Sequence, residues 1–247
     1  MPLEPIRKRS AEMRAADALR QYVVSGAARP GSRLTEIWLS EAFGLSRATI
    51  RTALHQVANE GLVLQVPYTG WEVASLSSRD AWELYTLRAS LETLGARLLV
   101  ERLTPALEEN LRTAFDALVE ACDAGDDATV ANKDFDFHKA IVELSGHRRL
   151  QEQFRLVEQQ IRLYIAWSDA LMPSRGEIVE THRPILETII ARDAERAEHI
   201  LRDHNEAAGR ILVAFLEERA GSTAEAAEVP EPRPATAPHA GNEQRKR

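Results

Sequence analysis

The stretch Thr35-Glu36-Ile37-Trp38-Leu39-Ser40-Glu41-Ala42-Phe43-Gly44-Leu45-Ser46-Arg47-Ala48-Thr49-Ile50-Arg51-Thr52-Ala53-Leu54 decides how the first third of the chain is built. Thr35 can cap a short helix that ends near Phe43, Gly44 makes the turn, and Ser46 caps a second helix that continues to Asn59. Two capped helices around a glycine turn are a helix-turn-helix. Upstream, residues 11 to 25 place Met13, Ala16, Leu19 and Val23 at near-helical spacing, and Gly26 ends that run before a loop holding Pro30 and Gly31. Downstream, Gly61 stops the second helix. Leu62 to Val66 and Gly70 to Ala74 are short β-prone runs on either side of Pro67-Tyr68-Thr69-Gly70, expected to pair as a two-stranded wing.

In the second helix Ile50, Leu54 and Val57 fall on the core side, while Ser46, Arg47, Thr49 and Arg51 project from its first turn and a half. Side chains in that position face the major groove of DNA. An Arg there can bond a guanine edge in bidentate fashion or hold a phosphate, and the free amides at a helix N-terminus also favour phosphate. Two Arg four residues apart on an isolated helix are ordinarily just solvated charges. The order of loop, short helix, capped helix and glycine-bearing wing gives them a different reading. Arg33 before the first helix of the motif and Gly70 in the wing complete the expected DNA-contacting set.

The 247 residues carry a net charge of -7, which at first sight opposes nucleic-acid binding. Up to Ala74 there are nine Arg and Lys against seven Asp and Glu, a balance of +2, which leaves 22 against 31, or -9, for the rest. Binding needs a basic face, not a basic chain, because only the neutralised phosphates release counterions. The length suits two compact domains, and 44% hydrophobic residues are enough to fill their cores. No apolar run approaches the roughly 20 residues needed to cross a bilayer, and no apolar segment follows the basic start, so a cytoplasmic location is expected. Cys122 is the only cysteine. Disulfides within the chain and cysteine-rich zinc sites are excluded, so a metal site must use His and carboxylates.

From Ser77 the periodicity is helical almost throughout, with breaks at Thr104-Pro105, Gly125-Asp126-Asp127, Ser145-Gly146 and Met172-Pro173. Six helices are expected, near 78 to 101, 105 to 122, 127 to 144, 147 to 170, 174 to 191 and 193 to 219. The fold class is therefore mainly α, a winged helix-turn-helix over residues 1 to 76 followed by an all-α bundle over 77 to 219. Residues 220 to 247 turn to Ala, Pro, Glu and Gly without periodicity and are expected to be a disordered tail.

The run Pro30-Gly31-Ser32-Arg33-Leu34, the segment Leu39 to Leu54 and Glu60-Gly61-Leu62-Val63 together resemble the GntR family of transcription regulators over about 65 residues. Ala48-Thr49-Ile50 stands where that family commonly has Thr-Pro-Val, and Thr69 where a basic wing residue is common, so the operator sequence stays open. The second domain, about residues 78 to 216, resembles the FCD ligand-binding domain of the FadR subfamily. The residues that carry this are Leu87-Arg88-Ala89-Ser90-Leu91-Glu92, Asp134-Phe135-Asp136-Phe137-His138, and Glu180-Thr181-His182-Arg183-Pro184-Ile185-Leu186 with His204.

That resemblance implies that Asp134, His138, His182 and His204 are metal ligands in a pocket between helices. Asp134 and His138, four apart, share one helix face and can chelate one ion. Three imidazoles and a carboxylate suit zinc, nickel or another borderline divalent ion, and leave the centre at +1. A small carboxylate is the effector such a centre attracts. The resemblance makes Arg88 its contact, because a guanidinium fork matches two oxygens, although a pair with Glu92 on the same helix explains Arg88 as well. Arg162 is a weaker effector candidate. His55, His147, His199 and His239 read as bystanders, and Pro184 should kink its helix by removing the bond to residue 180. The expected protein is a homodimeric regulator that binds operator DNA under effector control. A metal-dependent enzyme using the same four residues, with Glu180 as base, is the alternative.

Overall fold

The computed structural model describes residues 10–24, 27–75 and 77–225. Helix α1 (Ala11–Val24) buries Ala15, Ala16, Leu19 and Val23, whereas Met13, expected on the same face, is 48% exposed. Helix α2 (Glu36–Phe43) is capped by Thr35, whose hydroxyl accepts from the Trp38 amide at 3.2 Å, and it ends at Gly44 in the left-handed region with φ 63°. Helix α3 (Arg47–Asn59) starts from Ser46, whose hydroxyl accepts from the Thr49 amide at 3.2 Å, and buries Ile50, Ala53, Leu54 and Val57 against the head's core.

The wing has three strands, not the expected two. Strand β1 (Arg33–Leu34) joins β2 (Val63–Val66) and β3 (Gly70–Val73) in the order β1-β3-β2, with both pairings antiparallel. Arg33 lies opposite Glu72, and Val66 opposite Gly70. A two-residue strand is too short to carry an alternating pattern, so its pairing depends on the loop before it. There the Gly31 amide donates to the Val73 carbonyl at 2.9 Å and the Val73 amide to the Ser32 carbonyl at 2.9 Å.

Six helices follow: α4 (Ser78–Arg102), α5 (Pro105–Ala124), α6 (Asp127–Leu144), α7 (Arg148–Asp169), α8 (Arg175–Ile190) and α9 (Ala194–Glu225). Five of them start from capping groups: a Ser77–Asp80 capping box, Thr104 before Pro105, and Asp126, His147 and Ser174 as caps. Helix α8 runs unbroken through Pro184. Helix α9 continues to Glu225, so the helical region passes the end expected at residue 219, and the remainder of the expected tail lies outside the described residues.

Two apolar cores form. One joins Ala96, Leu99, Leu111, Phe137, Ile141, Ile185 and Leu201 at the far end of the bundle. The other is shared: Leu19, Leu54, Trp71 and Val73 of the head belong to the same buried cluster as Leu84, Phe135, Phe154, Ile161 and Leu212 of the bundle. The Gln160 side chain on α7 also donates to the Glu60 carbonyl at 3.3 Å, so the end of α3 sits directly on the bundle. Among the described residues no helix is long and apolar enough to cross a membrane.

Candidate metal centre and DNA-facing helix

Along α4, Arg88 and Glu92 separate Leu84 and Tyr85, which serve the shared core, from Ala96 and Leu99, which serve the other. Along α9, His204 and Asn205 stand between Leu201 and Leu212 in the same way. A polar layer thus runs between the two cores, and Asp134 and His138 of α6 and His182 of α8 enter it. His138, Glu92 and Asn205 are fully buried, Asp134, His182 and Arg88 nearly so, and His204 is partly buried.

The ligand atoms of His138, His182 and His204 all lie within 4.8 Å of one another. The Nε2 atoms of His138 and His182 are 3.0 Å apart, and Asp134 Oδ2 lies 3.0 Å from His182 Nε2. The hydrogen bonds on the far sides of the rings fix the tautomers. His138 Nδ1 faces Glu92 Oε2 at 2.8 Å and His182 Nδ1 faces the Ile178 carbonyl at 2.6 Å, so each Nδ1 carries the proton and donates. Both Nε2 lone pairs then point at each other and at a carboxylate. Such a concentration of donors is repulsive unless a cation sits among them. Two nitrogens about 2.0–2.1 Å from one tetrahedral ion would be about 3.3 Å apart, close to the observed spacing. The residues present therefore fit a divalent ion.

Burial, reinforced by the positive groups around it, pushes the His204 imidazole well below its ordinary pKa, and burial also lowers that of His138, so both stay neutral. Burial alone would raise the Asp134 carboxyl, but in the ion-free protein a proton on the facing His182, together with His138 and Arg88, outweighs burial and holds it at about 2; a bound cation would take that proton's place. Glu92 is likewise held at about 2, with Arg88 and His138 overcoming burial. Asp169 behaves oppositely: burial first, then the charge of Asp134, raises it well above the usual carboxylate range.

Arg88 does two things at once. Its Nε donates to Glu92 Oε1 at 2.8 Å, as the intrahelical pairing requires, while its Nη2 is buried with no hydrogen-bond partner. Asp134 Oδ1 and Asp169 Oδ2 are also buried without partners. Arg88, Asp134, Asp169, His182 and His204 line one cavity of about 30 Å³, room for a water or two, so any larger guest requires the helices to part. Sequence reasoning missed Asn205, whose Nδ2 donates to Glu92 Oε2 at 2.9 Å, and it treated Glu92 only as a partner of Arg88. Asp169 was missed too.

Other expected residues are elsewhere. Arg162 is not in this cavity; its guanidinium lies 4.0 Å over the Phe135 ring and binds Asn132 and, at 3.5 Å, Asp136. Glu180 is exposed and paired with Arg183 at 3.5 Å, and it is not among the residues lining the histidine cavity. His147 caps α7, accepting from the Leu150 amide at 3.1 Å, and His55 packs edge-on against Trp71. His199 pairs with Asp203 on the surface, and His239 lies outside the described residues.

On the head, Ser46, Arg47, Thr49 and Arg51 share the outer start of α3, with Arg47 and Arg51 side chains 59% and 55% exposed. Arg51 is held by Glu36, its Nε and Nη2 donating to the two carboxylate oxygens at 2.7 Å each, while Arg47 lies 3.7 Å from the same carboxylate. Ser46 and Thr49 hydroxyls are 2.9 Å apart. Arg33 reaches across the wing to the Thr69 carbonyl, and Gly70 turns the wing with φ 113°. Tyr68, unforeseen as a contact, stands fully exposed at the tip with φ 65°.

Known proteins match both halves. Residues 12–73 fit the model of bacterial regulatory proteins of the gntR family, and residues 83–207 fit the FCD domain. The chain is 28% identical over 197 residues to the HTH-type transcriptional repressor GlaR of Escherichia coli, covering 75% of this chain and 88% of that protein. It is 30% identical over 128 residues to an HTH-type transcriptional regulator from the TAR-I ttuE-ttuC' intergenic region of Agrobacterium vitis, covering 51% and 75%. The solved structure of E. coli McbR/YncC superposes with a TM-score of 0.69 at 23% identity, covering 86% of this chain and all of that one, a likeness of fold. A gntR-type helix-turn-helix joined to an FCD domain, with transcription regulators as relatives, places this chain in the GntR family of bacterial transcription regulators.

Proposed function

We propose that this regulator is a cytoplasmic homodimer of the FadR subfamily that reads operator DNA through residues 1–76 and senses a small carboxylate through residues 77–219. The observation that carries the sensing role is the convergence of Asp134, His138, His182 and His204 beside an unpartnered Arg88 Nη2. Those four side chains would hold zinc or nickel, which would supply a positive centre for an anionic group. Arg88 and Glu92 cancel in charge, so a divalent ion with three neutral imidazoles and the Asp134 carboxylate leaves the loaded centre at +1 and favours an anion. Arg88 Nη2 donates to the carboxylate.

Arg47, Arg51, Ser46 and Thr49 contact the major groove, Arg33 and the Gly70 turn set the wing beside the backbone, and Glu36 orients Arg51. Dimerisation is supported by exposed Leu64 and Leu87, which rim one cleft with Val157. Two heads fixed in one dimer read two half-sites at one spacing, so a small change of tilt removes simultaneous contact. The cavity's small volume makes effector entry and helix displacement one event.

The test is operator binding by fluorescence anisotropy, with protein loaded with zinc or nickel, or stripped by a chelator, titrated with small carboxylates. A loaded protein should change its operator affinity by about 5- to 150-fold on binding its acid, and operator should change acid affinity by the same factor. An equal response in verified metal-free protein would refute the metal's part. Turnover of a substrate with no sequence-specific DNA binding would refute the whole reading.

A further inference from the structure

A second cleft, of about 430 Å³, lies between the head and the bundle and shares no lining residue with the histidine cavity. Its volume falls in the range of small-molecule sites, roughly 300–1,000 Å³, which favour domain junctions. One wall is Gln21 and Val24 of α1 with Pro30 of the loop after it; the other is α6, α7 and the far part of α9. Trp167 and Phe215 supply aromatic lining, and Ala128, Ala131, Ala166 and Ala170 are small lining residues.

The polar lining is Gln21 on the head's wall and Asp127, Asn132, Arg162 and Arg219 on the other. Arg162 is 20% exposed, held flat over Phe135, and shares Asp136 with Lys133, which lies 3.5 Å from the same carboxylate. Asp127, the acid on the rim, is already paired with Arg175 at 2.6 Å. The Arg219 guanidinium lies 5.5 Å over the Phe215 ring. An aromatic box with a fixed guanidinium at its edge selects a ring bearing an acid group.

We propose that this cleft is a metal-independent site for an aromatic monocarboxylate, its ring between Trp167, Phe215 and the head's Val24 and its carboxylate at Arg162. Because the walls belong to different halves, the ligand's affinity depends on how the head sits. Occupancy therefore shifts operator binding, and it does so without the histidines. The inference stands apart from the metal reading and survives its failure.

The experiment titrates 1-naphthoate into full-length, chelator-treated protein, followed by calorimetry and by Trp fluorescence. Binding should persist in the His182→Ala variant. It should weaken about tenfold or more in Arg162→Met, which keeps the stem on Phe135 but removes the charge, and 1-naphthalenemethanol should bind wild type correspondingly less well. Ala166→Phe should block the cleft; if circular dichroism shows that variant unfolded, Ala128→Trp at the exposed mouth replaces it. Operator affinity should move by about fivefold or more with naphthoate in wild type and stay fixed in the blocked variant. Binding lost in His182→Ala, or unaltered in both Arg162→Met and the blocked variant, would overturn the proposal. So would no uptake at about 1 mM naphthoate, the weak limit of specific binding.

Discussion

Replacing Arg88 by Met removes a charge whose neighbour has no exposure to water. Glu92 is fully buried and receives three donors: Arg88 Nε on Oε1 at 2.8 Å, and His138 Nδ1 and Asn205 Nδ2 on Oε2 at 2.8 and 2.9 Å. Breaking a buried ion pair costs about 3–5 kcal/mol, because the partner is left uncompensated. Two of the three donors stay, so the lower end, about 3 kcal/mol, is expected at pH 7. At roughly 2–4 °C per kcal/mol for a chain of this size, the melting temperature should fall by about 6–12 °C. The pH dependence follows from the sign of the shift. Wild-type Glu92 is held at about 2, below its unfolded value, so its stabilisation is present above about pH 4.5 and is lost as pH falls towards 2. Without Arg88 that depression shrinks, and the deficit should be largest at pH 7 and narrow below about pH 4.5. Urea unfolding followed by circular dichroism at pH 7 and pH 4 measures it, and Arg88→Met with Glu92→Gln should recover most of the loss. A single variant within about 0.5 kcal/mol of wild type at pH 7, the range of an ordinary surface change, would refute the argument. So would a deficit equal at both pH values.

Zinc or nickel added to chelator-treated protein at about 100 times its dissociation constant should stabilise it by about 2.7 kcal/mol, or about 5–10 °C in scanning calorimetry. His138→Ala with His182→Ala should remove most of that gain; an undiminished gain would place the ion elsewhere. Asp169 keeps a proton in the fold that the unfolded chain releases above about pH 4, so it costs stability as pH rises through that range. Asp169→Asn should therefore raise the melting temperature at pH 7 but not at pH 4, and a gain independent of pH would contradict the assignment. Gly209→Ala would put a Cβ 2.8 Å from Tyr85 Cβ and 2.9 Å from Tyr85 Cγ, forcing α9 away from α4 at a cost of about 1–3 kcal/mol. Unchanged chemical denaturation would show that this contact yields freely.

The head was legible because its signals are local. Thr35, Gly44 and Ser46 act on amides within a few residues, and the structure puts all three where the sequence does. Strand β1 was not, since Arg33 and Leu34 become a strand only through Trp71 and Glu72, nearly 40 positions on. In the bundle, His138 and Asp134 could be paired by their helical spacing, but the meeting of α4, α6, α8 and α9 is a packing result with no local signature. Asn205 carried a usable clue: it falls four residues after Leu201 and seven before Leu212, inside an apolar stripe where a polar residue needs a partner. Glu92, between Ala89 and Ala96 on α4, carried the same clue. For Arg162 the helix was legible but not the face, and the structure puts the side chain over Phe135 in a cleft apart from the histidine cavity.

The continuity of the core from Leu19 and Trp71 to Phe154 and Leu212 bears on how such proteins can be recombined. A chimera cut near Ala74 and fused to a foreign sensing half would carry a head whose α1 and α3 meet unmatched side chains. Grafts that take the α7 surface with the head, Ile161 and Gln160 included, keep the interlocking faces together and should express as ordered proteins where the simple cut yields aggregates. The unit that duplication and exchange can move intact is therefore larger than the DNA-reading motif, and changing the operator without changing the signal is achieved more readily by point substitution on α3 than by exchange of heads.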